Sequence, residues 1–525
     1  MPEYLAPGVY IEEIQTGPRP IEGVSTSTAG FVGQTERGPT NPTLVTSWQS
    51  FYRWYGGYID RPPNTFQNVF LPYAVKGFFD NGGQRVFVAR VVGPASTTAI
   101  GDIGNTPIEA IGPGGWGNNI FIAVKAASVA VAGTPTADWF RVSVAYFREV
   151  PNPPVNPRDP AVLGDPRIDL VFEDYDNLSA VSTDPNFARS VINASSNLIK
   201  VNDCTGRPGD AEFPGVQLQG GNTDAATLTE YLDATTVNPE DRKGLAGLMT
   251  IRDISILAAP DEVVIGGLRE EVIQACEANK DRFAVISSDA NLSNVNTVTK
   301  PRDTTYAAFY YPWVRVLAPH TPEGHRLIPS SGHVVGIYAR VDIERGVHKA
   351  PANEVIRGIL TRDLIGNKKP LEFTLGKREQ DILNPKGINV IRDFRPDGRD
   401  IRVFGARTMS SDSMWKYINV RRLFIFIEQS IDRGTQWAVF EPNYEVTWSA
   451  IRTSVSAFLR TVWLNGALMG TTQEEAFFVK CDRTTMTQDD IDNGRLICLI
   501  GIAPVKPAEF VIFRISQKTM EAEQS

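Results

Sequence analysis

The sequence has few residues of the kinds that hold metal ions or disulfides. It contains four cysteines and four histidines in 525 residues. The cysteines, Cys204, Cys276, Cys481 and Cys498, are too far apart in sequence to form a C-x-x-C pair. Because zinc sites and disulfide frameworks are recognised by closely spaced Cys and His residues, we expect neither in this chain.

Excess positive charge is also missing. The chain has 52 Lys and Arg residues against 60 Asp and Glu residues, which gives a net charge of −8. A surface that binds nucleic acid needs clustered, excess Lys and Arg to neutralise phosphates. The composition therefore excludes nucleic-acid binding through bulk charge.

The sequence lacks a long apolar run and a basic leader. Its longest apolar runs, such as 423–427 and 496–502, are far shorter than the ~20 residues that a membrane-spanning helix requires. Pro2, Glu3 and Pro7 stand where a signal peptide has basic residues followed by an apolar run. We therefore expect no membrane insertion, no secretory targeting, and assembly in the cytoplasm.

What the chain has instead is length and an excess of glycine and proline. At roughly 150 residues per domain, its length suggests about three or four domains. The 44 glycines and 36 prolines exceed the usual share of these residues. This excess indicates many turns and extended arms.

The apolar pattern predicts a βαβ unit in the middle of the chain. Ile251–Ala259 and Arg282–Ser287 are β-prone runs, and Gly267–Asn279 between them has a helical pattern. Upstream, the aromatic-rich stretch 65–79 predicts a helix that Pro72 kinks. We therefore expect a parallel sheet in the centre of the chain.

The C-terminal third predicts two helices followed by a strand. The first, over 413–431, is expected to expose Lys416, Arg421 and Arg422. The second has apolar residues at helical spacing on one face: Trp448, Ile451, Val455, Phe458, Leu459 and Val462. The run 509–515 has high β-propensity, and so does the run 9–14 near the other end. A strand at a chain end needs a sheet to join.

Residues that suggest catalysis or metal binding are present without a supporting pattern. His320 and His325 flank Glu323, but there is no third ligand at a diagnostic spacing. A subtilisin-like triad would draw on residues near strand ends, but there is no G-x-S-x-G motif. The candidates are Asp253, Asp261, His320, His333, Ser287, Ser288 and Ser330.

The glycine cluster 112–117 departs from the phosphate-binding G-x-G-x-x-G motif. We predict no catalytic, cofactor or metal site.

From about residue 307 onward the chain contains a series of characteristic segments, which include YYPWVRVLAP (310–319), IPSSGHVVGIYARVDIERGVHKAPANEVIRGI (328–359), LNPKGINVIRDF (383–394), IRVFGARTMSSDSMWKYINVRRLFIFIEQSI (401–431), FLRTVWLNGALMG (458–470), AFFVKCD (476–482) and IGIAPVKPAEFVIFRISQ (500–517). In these segments the sequence resembles one family, the contractile tail sheath proteins. Near the N-terminus, PGVYIEEI (7–14), STAGFVGQTERGP (27–39) and FFDNGGQRVFVARVV (78–92) also match the sheath pattern. Within 96–222 only GPGGWGNNIFIAV (112–124) resembles family members.

The resemblance implies a structural subunit and not an enzyme. Sheath subunits form a helical homopolymer around an inner tube, and the polymer contracts to drive the tube through a target envelope. The partners implied are further copies of the chain, the inner tube protein, baseplate and tail-terminator or cap proteins, and sheath paralogues. The implied setting is a phage tail or phage-tail-like particle, assembled in the bacterial cytoplasm and in some systems released. The alternatives are a receptor-binding or fibre-like protein of such a particle and, more remotely, a subtilisin-like hydrolase.

The predicted fold is therefore mixed α/β and multidomain, with a C-terminal assembly domain that has a strand-augmented sheet, a middle α/β domain and an inserted β-rich outer domain. We predict the boundaries as 1–20 for an N-terminal strand-exchange arm, 21–95 with 223–345 for a discontinuous middle domain, 96–222 for the Pro-rich insertion, 346–507 for the inner assembly domain, and 508–525 for a C-terminal strand-exchange arm.

Two sets of residues follow as candidate assembly sites. A strand on an arm pairs with a neighbour's sheet edge, and sheath proteins exchange such arms. The candidates for strand exchange are Val9, Tyr10, Ile11, Ile14, Phe510, Val511, Ile512, Phe513 and Ile515. Family members face the tube with a helix of the C-terminal domain, and the candidates for this contact are Arg452 and Arg460, followed by Lys416, Arg421 and Arg422.

Overall fold

The computed structural model describes residues 20–59, 69–104, 106–128, 139–159, 162, 165, 169–364 and 368–514. These residues form two compact units. The larger contains residues 25–422, and the smaller contains residues 423–514 together with 20–24. Each unit has its own secondary structure and its own buried residues.

The strands, numbered in chain order, are short. They are β1 Ala29–Gly33, β2 Thr43–Val45, β3 Val86–Arg90, β4 Ile100–Asp102, β5 Pro107–Ala110, β6 Ile120–Ala126, β7 Trp139–Phe147, β8 Leu170–Ser179, β9 Ile199–Val201, β10 Ala211–Gln217, β11 Ile256–Ala258, β12 Phe283–Ser287, β13 Ala307–Tyr311, β14 Val314–Leu317, β15 His325–Ile328, β16 Glu354–Val355, β17 Ile388–Asp393, β18 Ile401–Phe404, β19 Phe477–Lys480 and β20 Leu499–Ile502.

The α-helices are numbered in the same way. They are α1 Trp48–Tyr55, α2 Leu71–Asp80, α3 Ala188–Ser195, α4 Leu228–Leu232, α5 Gly244–Met249, α6 Leu268–Asn279, α7 Ser331–Arg345, α8 Lys377–Leu383, α9 Ile418–Thr435, α10 Glu445–Leu464, α11 Gln473–Ala476 and α12 Gln488–Asp492.

The larger unit is organised by a nine-stranded sheet in the order β16-β18-β17-β13-β12-β11-β1-β3-β2. The six strands from β17 to β3 pair in parallel, and antiparallel strands extend the sheet at both ends. Strands such as AGFVG and FAVIS are buried at every position. This is the pattern expected of parallel strands covered on both faces.

Helices cover both faces of this sheet. Alternate residues of a strand point to opposite faces. On one face Phe31 and Tyr310 contact Phe78 of α2 and Tyr338 of α7. On the other face Val32, Ala284 and Phe309 join the buried cluster that includes α6. The βαβ unit predicted from the sequence is confirmed, because β11 and β12 are parallel and α6 connects them.

Two sequence expectations differ in detail. The first strand of the βαβ unit is only Ile256–Ala258, since residues before it form turns. Helix α2 begins at Leu71, so Pro72 lies in its first turn and does not kink it. Proline is tolerated there because the first N–H groups of a helix have no intrahelical acceptor.

The insertion between β3 and α4 is rich in β structure. It contains a four-stranded sheet, β10-β6-β7-β8, and a three-stranded sheet, β4-β5-β9. Alternate residues of β6 and β7, such as Ile122, Val124, Val142 and Val144, enter one buried cluster. The insertion therefore has a hydrophobic core of its own.

The sheet crosses the domain boundary predicted near residue 346. Strands β16, β17 and β18 lie beyond that position and pair with one another, and β17 pairs with β13 of the central sheet. In the structure, the division between the two compact units falls within α9 instead, after Arg422.

Two glycines bring α7 against the backbone of α2. A Cβ added at Gly332 would lie 2.3 Å from the Cα of Ala74, and one added at Gly336 would lie 2.5 Å from the carbonyl oxygen of Phe78. Real Cβ atoms do not approach backbone atoms so closely. The two helices can pack at this distance only because both positions lack a side chain.

We expect Gly336→Ala to destabilise the larger unit by about 1–3 kcal/mol, because the added methyl group forces α2 and α7 apart. The measurement is urea unfolding followed by tryptophan fluorescence. Gly266→Ala is the matched control, since a Cβ at Gly266 meets no atom within 4 Å. Equal stability of the two variants would show that the helix contact tolerates a side chain.

Candidate assembly surfaces

The last residues that the structure describes form an exposed apolar segment. Residues 503–505 are still held, since Met469 N donates to Ala503 O at 2.8 Å and Val505 N donates to Ala467 O at 3.2 Å. The side chains that follow are exposed to a degree that is unusual for large apolar residues: Phe510 69%, Val511 70%, Ile512 78% and Phe513 84%. A contiguous exposed apolar patch of this kind marks an interaction site.

The strand predicted over 509–515 does not form within the described chain. Residues 506–514 belong to no strand. A strand is stable only when its backbone groups have hydrogen-bond partners. The role of Phe510, Val511, Ile512 and Phe513 in strand exchange therefore stays a prediction. Val9, Tyr10, Ile11, Ile14 and Ile515 lie outside the described residues.

The smaller unit also contains a two-stranded sheet with an apolar outer face. β19 and β20 pair antiparallel from Phe477 opposite Ile502 to Lys480 opposite Leu499. Phe478 lies over Gly501, where a Cβ would meet its ring at 2.2 Å. Phe478 and Leu499 are 47% and 52% exposed. A two-stranded sheet with exposed apolar residues is marginal alone and gains from a further strand.

Sequence reasoning did not identify this hairpin as a site. The connection between its strands runs from Cys481 to Cys498 and includes α12. Short hairpin turns have a recognisable sequence signature, and a connection of this length has none. The signal that was present is the pair of β-prone runs within the sheath-like segments 476–482 and 500–517.

Helix α10 presents an exposed basic surface. Its inner face buries Trp448, Ile451, Val455, Phe458, Leu459 and Val462, as the helical spacing predicts. Arg452 and Arg460 lie on the exposed side of the helix. Nη2 of Arg452 is 3.5 Å from Ser449 Oγ, and in the described chain Arg460 has no ion-pair partner. No acidic residue stands between Glu445 and Glu474 in the sequence, and the carboxylate of Asp482 lies close enough to Arg452 to feel its charge.

The arginines at the start of α9 are placed differently from the sequence prediction. Arg421 and Arg422 were expected to be exposed, but they are only 6% and 4% exposed, so this prediction is wrong. Arg421 lies over the ring of Trp415, with its guanidinium carbon 3.5 Å from the ring centroid. Lys416 precedes the helix, is half-buried, and lies 5.1 Å from the ring centroid of Tyr417.

Arg422 is buried because it forms an ion pair with Asp342 of α7. Its Nη1 and Nη2 donate to the two carboxylate oxygens at 2.9 and 2.6 Å, and Nη2 also donates to Thr26 O at 2.9 Å. Burial raises the pKa of Asp342, and the guanidinium opposes that rise. A buried bidentate pair fixes the geometry of the elements that carry it. Arg421 and Arg422 are therefore structural in this subunit and are no longer candidates for a tube contact.

The carboxyl edge of the central sheet is the usual place for a ligand in an α/β protein. The chain order of the strands reverses between β1 and β11, which makes this the switch point of the sheet. Asp261 fills the position. Its carboxylate accepts from Phe70 N at 2.7 Å, Tyr231 Oη at 2.7 Å and Gln34 N at 3.3 Å. Burial raises its pKa to about 6. The carboxylate acts as a cross-link between loops at this edge.

Glu262 beside it is buried as well. Oε1 accepts from Ser287 N at 2.7 Å, whereas Oε2 has no hydrogen-bond partner. Burial raises the pKa of Glu262 to about 8, and the nearby Arg269 opposes the rise. The side chain is 5% exposed. Solvent and substrates do not reach this carboxyl group.

The histidines are not arranged as catalytic bases. Burial lowers the pKa of His333 to about 4, and its ring hydrogen-bonds with the backbone of Gly358. Its Nδ1 has no hydrogen-bond partner. Ser287 Oγ accepts from Ser331 N at 3.0 Å, and Asp253 forms a 3.9 Å ion pair with Arg85. Of the groups considered for a triad, Ser287 and Asp253 therefore contact residues other than His333.

Two further features are absent from the residues that the structure describes. Within them, no group of three or more His, Cys, Asp or Glu side chains is arranged to hold a metal ion. None of the helices in these ranges is both long and apolar enough to cross a lipid bilayer.

The exposed apolar segment 510–513 indicates that this chain interacts with another molecule. Two adjacent family models match the chain. The Phage tail sheath protein central domain matches residues 235–409, and the Phage tail sheath C-terminal domain matches residues 410–518. Together they cover more than half of the chain. The chain belongs to the phage tail sheath family.

Individual relatives of the chain are also tail sheath proteins. The chain is 22% identical to the tail sheath protein of Burkholderia phage BcepMu over 492 residues, which covers 88% of this chain and 87% of the relative. It is 26% identical to the tail sheath protein of Vibrio phage KVP40 over 200 residues, which covers 38% of this chain and 28% of the relative. The matched part spans less than half the length of several curated relatives.

Solved structures share the fold. The helical sheath of the anti-feeding prophage in its contracted state gives a TM-score of 0.56 at 24% identity, covering 98% of this chain and 100% of that chain. The sheath of the PVC extracellular contractile injection system, also contracted, gives 0.56 at 22% identity and covers 99% of each chain. The mixed α/β, multidomain fold is thus that of sheath subunits.

The buried Glu262 predicts a pH dependence of stability. Because its pKa rises from the ordinary 4.5 to about 8 on folding, the folded protein keeps a proton that the unfolded chain releases in this interval. Stability therefore falls as pH rises from 4.5 to 8, by up to about 1.4 kcal/mol per pH unit. In Glu262→Gln this contribution is absent, so the variant should gain stability relative to the wild type across this interval and keep a constant difference above pH 8.

The measurement is the urea unfolding free energy between pH 4.5 and 9. Glu240→Gln is the matched control, because Glu240 is exposed and is not among the charges that act on Glu262. Its curve should run parallel to that of the wild type. A parallel curve for Glu262→Gln as well would contradict the assignment.

Proposed function

We propose that this chain is the subunit of a contractile tail sheath. Copies of it polymerise as a helical sleeve around an inner tube, and the sleeve contracts to drive the tube through a target envelope. The observation that carries the proposal is the exposed apolar segment Phe510–Phe513 in a chain of the sheath family. The mechanical work of contraction comes from the difference in free energy between two packings of the same subunits. No covalent bond is made or broken.

The subunits are linked by exchanged strands. Phe510–Phe513 lies beyond residues 503–505, whose backbone groups bond to Ala467 and Met469. The hairpin of β19 and β20 offers an apolar face with Phe478 and Leu499 exposed. A strand from a neighbouring subunit that pairs beside this hairpin would satisfy its own backbone groups and cover both apolar surfaces. The segment 9–14 is proposed to act in the same way from the other end.

The exposed side of α10 faces the inner tube. Arg452 and Arg460 carry positive charge on a stretch without acidic residues. Across an interface, complementary charges set orientation and association rate more than they set affinity. The partner surface on the tube is therefore proposed to be acidic. Lys416 is a second candidate for this contact.

The other partners follow from the same assembly. A helical sleeve needs a base from which it grows and a cap at which it stops. We therefore propose baseplate and terminator proteins as partners, in a phage tail or phage-tail-like particle. The family relationship and the buried state of Asp261, Glu262 and His333 support a structural role in place of an enzymatic one.

We expect deletion of residues 508–525 to leave a folded subunit that does not polymerise, because the linking strand is removed. Deletion of 1–15 should act in the same way. Circular dichroism checks folding, and sedimentation with negative-stain electron microscopy checks assembly. A finer variant is Val511→Pro, which removes a backbone N–H, compared with Val511→Ala, which keeps it. Formation of full-length sheaths by the deletion variants would contradict the strand-exchange proposal.

We expect Arg452→Glu combined with Arg460→Glu to yield only contracted or empty sheaths when the chain is co-expressed with its tube protein. Reversed charge repels an acidic tube but leaves the buried face of α10 unchanged. The matched control is the double lysine variant, which keeps the charge and should form extended particles. Extended sheaths around tubes in the double glutamate variant would count against this contact.

A further inference from the structure

Two of the four cysteines stand opposite each other at the end of the β19–β20 hairpin. The last pair of the antiparallel ladder at this end is Lys480 opposite Leu499. The next position in the same register places Cys481 opposite Cys498. Directly opposed residues of an antiparallel pair have Cα atoms about 4.5–5.5 Å apart. A disulfide bridges Cα separations of about 4.4–6.8 Å, so the register places this pair within reach of a bond.

The side chains meet as well. Both cysteines belong to one small apolar cluster with Trp448 and Met486. Each thiol has the largest influence on the pKa of the other, so the two side chains are close neighbours. Both are free thiols in this structure. The register and the shared cluster therefore bring the two cysteines together without a bond between them.

The two thiols differ in their exposure to solvent. Cys481 is 1% exposed, whereas Cys498 is half-buried. A reagent from solvent therefore reaches Cys498 first. The hydrogen bond from Cys481 and the nearby Arg452 guanidinium lower the pKa of the Cys498 thiol, although burial opposes this. Since the thiolate is the attacking species, Cys498 is the nucleophile of the pair.

The other two cysteines lack this arrangement. Cys204 is buried in the β-rich insertion, where its sulfur lies 3.6 Å from Thr106 Oγ1. Cys276 is buried on α6, and burial raises the pKa of its thiol to about 12. Each lies in a separate hydrophobic cluster. They serve as internal controls in the same molecule.

We propose that Cys481 and Cys498 form a redox-responsive dithiol that a low-molecular-weight disulfide, such as oxidised glutathione, closes into a cross-strand disulfide. The site takes up the disulfide as substrate and releases two thiols. The proposal rests on the geometry of the hairpin and does not depend on the proposed sheath function.

The reaction balances in two exchanges. The Cys498 thiolate attacks one sulfur of glutathione disulfide, forms a mixed disulfide, and releases one glutathione thiolate, which takes up the proton that Cys498 had lost. Cys481 then loses its proton and attacks the Cys498 sulfur, which releases the second glutathione thiolate to accept that proton. Two protein thiols are oxidised by two electrons in total, and one glutathione disulfide is reduced to two thiols.

The disulfide would close a loop that contains α12 and fix the open end of the hairpin. In the reduced protein the strands are held by the four residue pairs of the ladder and by the apolar cluster. A covalent bond at Cys481–Cys498 prevents the connection from separating even when that cluster opens. It thus converts a marginal two-stranded sheet into a cross-linked one.

The test uses the full chain. Reduced protein is incubated with oxidised glutathione, the remaining thiols are alkylated after unfolding, and peptides are mapped by mass spectrometry. We expect a linked peptide pair containing Cys481 and Cys498, two hydrogens lighter than its reduced form, with Cys204 and Cys276 recovered as alkylated thiols. Dithiothreitol should restore four thiols.

Single variants test the order of attack. Cys481→Ser should stop at the mixed disulfide, with one glutathionyl group on Cys498. Cys498→Ser should react at Cys481 at least about tenfold more slowly, because the remaining thiol is buried and protonated. Circular dichroism confirms that each variant is folded. Four free thiols after oxidation of the wild type, modification spread over all cysteines, or dimers linked through Cys498 would each overturn the proposal.

Discussion

A β-strand is stable only when the backbone groups along its edges have hydrogen-bond partners, and this requirement divides the chain into a satisfied part and an unsatisfied part. In the nine-stranded sheet of the larger unit, seven strands meet the requirement by pairing with a neighbour on both sides. The smaller unit does not. Its sheet has two strands, and the apolar residues that follow it, Phe510–Phe513, join no strand in the described chain. The unsatisfied part is the part that we propose a second subunit completes.

Charged groups are found in two kinds of environment in this chain. The larger unit holds charged groups in fixed structural contacts, such as the Arg422 and Asp342 pair and the Asp261 carboxylate at the switch point of the sheet. These groups position elements and are closed to solvent. On α10 the arginines remain exposed over a helix about 30 Å long. Buried charge in this protein fixes the fold, and exposed charge is available for partners.

The features that depend on a local pattern could be predicted from the sequence. The apolar spacing of α10 and the βαβ unit of β11, α6 and β12 follow from residues close together in the chain, and both were predicted. Arg421 and Arg422 were wrongly predicted to be exposed because the residues that cover them include ones distant in sequence, Tyr306 for Arg421 and Asp342 for Arg422. The approach of Cys481 to Cys498 was missed for a related reason, since register across a long connection is set by the folded ladder and not by spacing. Local periodicity is readable from sequence, whereas the partner of a polar side chain generally is not.

The contact between α2 and α7 has a mechanical consequence. Where Gly332 and Gly336 meet Ala74 and Phe78, backbone touches backbone, with no rotatable side chain between them. Packed interiors compress little, and side-chain rotamers are their main source of compliance. A contact without rotamers has almost none, so a force applied to one helix passes to the other without being dissipated in local rearrangement. This region of the larger unit is built to be stiff, which suits a component that transmits motion.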